Sequence, residues 1–193
     1  MATAPALSPP PTACYVSGKG MYASNTTWSF KASVILALEQ SGLGFDTRYR
    51  YYCQQFPAME ASQLARMICD PMEYYDRNFP AYLAQQQGRI SEAEAATRFM
   101  LTLDDQFRQQ AEVAIYCLDE AGFGSGVNIM RFLTRGKPLL GFYNLQRLQH
   151  PLNLSNILQL QLHYPELVTL ISYQDGDDLP QQVLGWLQGR HRG

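Results

Sequence analysis

One stretch decides the fold: AEVAIYCL, residues 111–118, followed directly by DEAGFGSG, residues 119–126. The first eight residues are almost continuously apolar, which is typical of a central strand in a parallel sheet covered on both faces. The next eight combine two acidic residues with three glycines and lead into a predicted helix at residues 127–135. A strand, a glycine-rich loop and a helix in this order predict an α/β fold with a ligand site at the carboxyl end of the strand.

Apolar segments alternate in the same way on both sides of this stretch. Further strands are predicted at residues 13–17, 45–52, 139–143 and 167–173, and helices at residues 28–40 and 179–187. Such alternation indicates a Rossmann-like or flavodoxin-like doubly wound parallel sheet of about five strands.

The 193 residues favour one domain, at residues 13–193, over two small ones. Residues 1–12 are rich in proline and are expected to form a disordered leader. Residues 57–100 are helical in character and form a predicted insertion, with helices at residues 59–68 and 79–87. Ser91 and Glu94 resemble a helix start, and that helix is expected to continue to about Gln110 if unbroken, the alternative being an end near Leu103.

Charge and hydropathy argue against two classes of partner. The chain carries 15 basic and 17 acidic side chains, for a formal net charge of -2, whereas nucleic-acid binding usually requires a basic excess or stripe. The basic cluster at residues 190–192 is expected to be a frayed tail. No apolar stretch approaches the roughly 20 residues of a membrane helix, so no membrane partner is expected.

The four cysteines lie far apart, with no pair at the spacing of zinc ligands. Cys117 lies in the apolar run, where a buried thiol is expected. This pattern predicts a reduced, cytoplasmic protein without a metal site, and no motif indicates a redox cofactor.

Two predicted loops have the position at which such sheets bind ligands, since each follows the carboxyl end of a strand. They are residues 17–20 and residues 119–126, and the N–H groups of the helix after the second attract phosphates or carboxylates. The alternative is that the glycines only form tight turns. Asp119 and Glu120 end the central strand, where a carboxylate could face a sugar. Asp104 precedes that strand and is a further candidate for the site. The alternative is that Asp104 lies on a solvated helix face.

One block of residues resembles the nucleoside 2-deoxyribosyltransferase superfamily, which includes the deoxynucleoside monophosphate N-glycosidases. The block consists of Asp104, residues 109–115, the glycine-rich loop, and residues 136–139. The opening residues 15–18 resemble the family's first strand and loop, and residues 151–154 resemble a later Pro-x-Asn-Leu stretch.

The resemblance implies a nucleophilic Glu that forms a covalent intermediate on the anomeric carbon of the sugar. That position holds Asn128 here, and an amide cannot act as the nucleophile. The resemblance makes Asp104 the supporting carboxylate, and Glu120 or Asp119 is our hypothesis for the replacement nucleophile. The predicted catalytic set is Asp104, Glu120 and Asn128. The predicted substrate-binding set is Gly18, Lys19, Tyr22, Asp119, Gly124, Ser125, Gly126 and Asn153. Lys19 and the amides around Ser125 are candidates to receive a 5′-phosphate.

Three hypotheses of function follow. The chain is an N-glycosidase or deoxyribosyltransferase acting on a nucleoside or nucleotide, or it binds such a ligand without cleaving it. The third hypothesis is an oligomeric scaffold, in which aromatic residues of the insertion pack against a partner. These residues are Tyr74, Tyr75, Phe79 and Tyr82, and their alternative role is in the core. The resemblance also implies a homodimer or a higher homo-oligomer, and the sequence indicates no cofactor.

Overall fold

A computed structural model describes residues 9–20, 22–70, 72–148 and 151–192. Five parallel strands form one sheet: β1 (Thr12–Ser17), β2 (Gly44–Asp46), β3 (Val113–Cys117), β4 (Leu139–Tyr143) and β5 (Val168–Ser172). Their spatial order is β2-β1-β3-β4-β5. This is the flavodoxin-like order of a doubly wound sheet, in which the direction of winding reverses between β1 and β3. The predicted fold class is confirmed.

Eight helices of the described residues surround the sheet. They are α1 (Asn25–Ser41), α2 (Thr47–Gln55), α3 (Ala61–Cys69), α4 (Met72–Gln85), α5 (Glu92–Gln110), α6 (Phe123–Leu133), α7 (Pro151–His163) and α8 (Leu179–Arg192). None of the described helices is both long and apolar enough to cross a membrane.

Side chains alternate along each strand and therefore fill two separate cores. Val16 and Ile115 point into the core that α1 and α8 cover. Tyr15 and Ala114 point to the opposite face, into the core shared with α5, α6 and α7. Both faces of the sheet are thus buried, which explains the continuous apolar sequence of β3.

The register of the sheet brings two loops together at one edge. Ser17 pairs with Tyr116, so β1 and β3 end side by side. A Cβ atom on Gly18 would lie 3.1 Å from the carbonyl oxygen of Cys117. The loops that follow β1 and β3 therefore start in direct contact, at the point where the winding reverses.

The predicted second strand at residues 45–52 is largely wrong, because β2 ends at Asp46 and α2 begins at Thr47. The Asp46 carboxylate accepts hydrogen bonds from the backbone N–H groups of Arg48 and Tyr49, at 2.9 and 3.3 Å. An aspartate in this position caps a helix. The tyrosines that favoured a strand, Tyr49, Tyr51 and Tyr52, lie instead on α2, whereas Phe45 belongs to β2.

The helices also differ from prediction at several ends. The helix predicted from residue 127 begins at Phe123, so Gly124, Ser125 and Gly126 lie in its first turn. The helix predicted at residues 79–87 spans Met72–Gln85 and contains Pro80. No helix was predicted at α7. The predicted Ser91 cap is confirmed, since its side chain accepts from the N–H of Glu94 and α5 continues to Gln110.

The chain ends also differ from prediction. Thr12 belongs to β1, and residues 1–8 of the predicted leader lie outside the described residues. The basic cluster at residues 190–192 is not frayed, because α8 extends to Arg192. His191 Nε2 lies 2.8 Å from the Thr12 hydroxyl, and the Arg190 guanidinium lies 5.0 Å from the Trp186 ring. The His191 contact joins the end of α8 to β1, and the Arg190 contact lies within the last turns of the helix.

The predicted insertion lies between β2 and β3. Its aromatic residues pack around the ring of Phe99 on α5. The rings of Tyr74, Tyr75, Phe79 and Tyr82 all lie within 6.0 Å of it, measured between centroids. Tyr74 and Phe79 are buried. These two residues therefore belong to the core, which was the alternative to the scaffold hypothesis. They are not available to contact a partner.

Candidate functional site

A cavity of about 360 Å³ lies at the carboxyl edge of the sheet, where β1 and β3 diverge. Ligands of open α/β sheets bind at this position. The first loop, the start of α6, and helices of the insertion form its walls. The sequence-predicted residues that line it are Gly18, Lys19, Asp104, Glu120, Gly124, Ser125 and Asn128.

Asp104 enters the cavity from α5 and is held by two partners. The Tyr15 hydroxyl donates to one carboxylate oxygen at 2.7 Å, and the Arg108 guanidinium forms an ion pair with the other. Burial, with the negative charge of Asp104, raises the pKa of Tyr15 well above its ordinary value, so the phenol stays protonated and donates. A third of the Asp104 side chain remains exposed. Asp104 therefore lies in the cavity wall, with its carboxylate in a fixed orientation.

Glu120 lines the cavity from the loop after β3. One carboxylate oxygen accepts from the Ser24 N–H at 2.9 Å and from the Thr27 hydroxyl at 2.7 Å. The other lies 3.8 Å from the Lys19 ammonium. Burial opposes ionisation, but these hydrogen bonds and the Lys19 charge outweigh it and lower the pKa of Glu120. Glu120 is thus an ionised carboxylate that also anchors the start of α1.

The start of α6 contributes backbone groups to the same cavity. The first N–H groups of a helix have no intrahelical acceptors, and the N-cap residue Gly122 has no side chain to accept from them. Ser125 donates its hydroxyl to the Gly18 carbonyl at 3.2 Å and joins the two loops. Asn128 lies one turn further on and is half-buried. This wall presents amide donors to a ligand, and the helix dipole favours negative charge there.

Asp119 does not line the cavity, although it precedes Glu120 in the sequence. It is buried; one carboxylate oxygen accepts from the Asn144 N–H at 2.7 Å and the other accepts from the Tyr173 hydroxyl. Burial raises the pKa of Asp119, partly offset by these hydrogen bonds. Its carboxylate connects the ends of β3, β4 and β5, and its position gives no support to a sugar contact in the cavity.

Three other sequence-predicted residues also lie outside the cavity. Gly126 and Asn153 line a neighbouring groove between α6 and α7. Tyr22 is 92% exposed and has a positive φ of 58°. The structure therefore separates these residues from Asp104 and Glu120.

Two cationic residues of the cavity were missed by the sequence reasoning. Lys31 on α1 is 3% exposed, and its ammonium donates to the carbonyls of Lys19 and Cys69 at 3.0 and 2.9 Å. Arg48 on α2 pairs with Asp46, and its guanidinium carbon lies 4.5 Å from the centre of the Tyr15 ring. A signal for Lys31 existed, because it shares the apolar face of α1 with Val34 and Ile35.

Helices α2 to α5, within and beside the insertion, supply an apolar roof to the cavity. It is formed by Tyr52, Ile68, Tyr74, Met100, Leu103 and Phe107. A polar floor and an aromatic roof suit a ligand with one flat apolar part and one hydroxyl-rich or charged part. Among the described residues, no group of three or more His, Cys, Asp or Glu side chains could hold a metal ion.

Comparison with known proteins gives no relative: no family model matches the chain, and no curated protein matches it. Evidence for function therefore comes from the chemistry of the cavity.

Proposed function

We propose that the protein binds a nucleoside or nucleotide in this cavity and cleaves or exchanges its N-glycosidic bond. The observation that carries the proposal is the Asp104 carboxylate, which Tyr15 and Arg108 hold at the cavity wall beneath an aromatic roof. The base would lie against the roof, and the sugar would lie on the polar floor.

Cleavage needs a carboxylate, because positive charge develops at the anomeric carbon as its bond to the base breaks. The leaving base nitrogen takes the electron pair of the broken bond and a proton. In hydrolysis, water supplies that proton and its oxygen bonds to the anomeric carbon; in exchange, a second base supplies the proton from its N–H and its nitrogen bonds to the carbon. Asp104 and Glu120 both line the cavity. We assign the carboxylate that stabilises this charge to Asp104, because Tyr15 and Arg108 hold it at the cavity wall, whereas the Glu120 carboxylate anchors the start of α1 and pairs with Lys19.

The test is chromatographic detection of free base from deoxynucleosides, ribonucleosides and their monophosphates. Asp104→Asn should lower the rate of base release by about 10²-fold or more, since it removes the charge that stabilises the transition state. Asp105→Asn is the matched control, because Asp105 pairs with Arg108 and Arg131 but is not part of the cavity lining. No base release, or equal rates in both variants, would overturn the proposal.

A second candidate is a protein that binds the same ligand without cleaving it. It is favoured by Asn128, whose amide lines the cavity at the position where the resembling family has its nucleophile. Saturable nucleoside binding without product would establish this function. Asn128→Glu would then supply a carboxylate, and base release by that variant alone would identify Asn128 as the residue that prevents cleavage.

We also propose a homodimer, supported by apolar residues that α6 and α7 expose. These are Phe123, Val127 and Met130 on α6 and Leu158 and Leu162 on α7. Exposed apolar patches of this kind mark interaction surfaces, and light scattering measures the resulting mass. Four free thiols among the described residues support the proposal of a reducing, cytoplasmic location.

A further inference from the structure

Lys31 is a buried cation in the cavity wall, and none of the described carboxylates forms an ion pair with it. Two backbone carbonyls accept two of its three ammonium hydrogens. Lys19 and Arg48, by contrast, pair with Glu120 and Asp46. Burial of a charge without a counter-ion is unfavourable, so the wall at Lys31 lacks a negative partner.

Arg48 adds a second cation near Lys31. Its Nε and one terminal nitrogen bind Asp46 and the Val16 carbonyl, whereas its other terminal nitrogen has no hydrogen bond to a described residue. Both side chains line the cavity. Burial, and then the nearby charge of Arg48, lower the pKa of Lys31, although the thiols of Cys69 and Cys117 and the more distant Asp70 carboxylate, which forms no ion pair with Lys31, oppose them. An anion bound beside both cations would offset the cost of burying the Lys31 charge and the repulsion between Lys31 and Arg48.

We propose that the cavity receives an anionic group of its ligand, a carboxylate or a phosphate, on the side formed by Lys31 and Arg48. This inference rests on the proposed function for the identity of the rest of the ligand. It makes the substrate an anionic nucleoside, with the charge on either the base or the sugar. The anion accepts the third ammonium hydrogen of Lys31 and a hydrogen bond from the terminal nitrogen of Arg48 that has no other acceptor among the described residues.

Lys31 could instead serve only to join the first loop to the end of α3, through the Lys19 and Cys69 carbonyls. Removal of a purely structural lysine would weaken all ligands alike. Removal of an anion-binding lysine would weaken anionic ligands selectively. The charge on the ligand therefore separates the two roles.

The first experiment uses inorganic phosphate or benzoate as the probe, at constant ionic strength, with calorimetry and thermal unfolding as readouts. The wild-type protein should bind one of these anions saturably, and Lys31→Gln and Lys31→Met should weaken binding at least tenfold. Lys137→Met is the matched control, since Lys137 also donates to backbone carbonyls but is not part of the cavity lining. Lys31→Gln keeps a hydrogen-bond donor for the backbone carbonyls. It therefore provides the test if Lys31→Met does not fold. No saturable binding of either anion, or binding unchanged in the Lys31 variants, would overturn the inference.

The second experiment compares uridine, uridine 5′-monophosphate and orotidine, which carry no added charge, a phosphate on the sugar, and a carboxylate on the base. Lys31→Gln should weaken one of the anionic ligands about tenfold more than uridine, and that ligand locates the charge. Equal weakening of all three would overturn the inference. Lys31-dependent phosphate binding with no base release from any deoxynucleoside, ribonucleoside or monophosphate would uphold the inference and refute the proposed function.

Discussion

Gly18 is the residue at which the first loop meets the third strand. A Cβ atom there would lie 3.0 Å from the Thr27 methyl and 3.1 Å from the Cys117 carbonyl oxygen. The carbonyl belongs to the backbone of β3 and cannot move aside like a flexible side chain. Gly18→Ala should therefore lower the free energy of unfolding by about 1–3 kcal/mol, as overpacking does.

Urea denaturation followed by circular dichroism measures this loss. Gly20→Ala in the same loop is the control, because nothing lies within 4 Å of its added Cβ. It should change the free energy of unfolding by less than about 0.5 kcal/mol. Equal losses in both variants would show that the contact between Gly18 and β3 is not tight.

Three carboxylates that look alike in the sequence have different roles in the structure. Asp104 lines the cavity beside Tyr15, Glu120 anchors α1, and Asp119 is buried against Tyr173. The spacing after β3 predicted that acidic residues lie near the ligand site. It could not separate Asp119 from Glu120, because their partners come from distant parts of the chain.

At the scale of elements, Glu120 joins the loop after β3 to the start of α1. Its carboxylate accepts from the Ser24 N–H and the Thr27 hydroxyl. Glu120→Gln keeps the shape of the side chain but loses the charge, and so should lower the free energy of unfolding by about 1–2 kcal/mol at neutral pH.

The effect of this change should depend on pH. Folding lowers the pKa of Glu120, so its ionised form stabilises the protein above the unfolded pKa, and the contribution disappears as the pH falls through the folded pKa. The difference between the wild-type protein and Glu120→Gln should therefore shrink towards zero in acid. Urea denaturation at a series of pH values measures it, and a difference that is constant with pH would contradict this role.

The elements were predictable where one local signal dominated. Residues 139–143 were predicted as a strand and form β4, and the apolar run at residues 111–118 contains β3. The prediction was wrong at residues 47–52, because the capping carboxylate of Asp46 outweighed the preference of aromatic residues for strands. The early start of α6 was missed because glycines weaken helices, and only packing of that helix on the sheet offsets this.

At the scale of the whole molecule, the order of the strands places the site. The alternation of strands and helices predicted the parallel sheet, and the loops after β1 and β3 were the predicted ligand loops. The order β2-β1-β3-β4-β5 then brings these two loops together. The roof of the cavity was not predictable, since helices α2 to α5 are placed by contacts between residues far apart in sequence.

The insertion and the sheet share one core, so they should unfold together. Cys14, Cys69 and Cys117 come from β1, α3 and β3, and all three are buried in the same hydrophobic cluster. Burial raises the pKa of Cys69 and of Cys117 to about 11, and it also raises that of Cys14, so these thiols are protonated in the native protein. Cys53 is partly exposed.

Native protein treated with a thiol reagent should therefore label Cys53 slowly and leave the other three unmodified, since the thiolate is the reactive form and access is blocked. In increasing urea, Cys14, Cys69 and Cys117 should become reactive at the same concentration, because one cooperative transition exposes them all. Mass spectrometry of labelled peptides distinguishes the sites. Reaction of Cys69 at lower urea than Cys14 and Cys117 would show that the insertion opens as a separate unit, which would give the cavity a roof that moves independently of its floor.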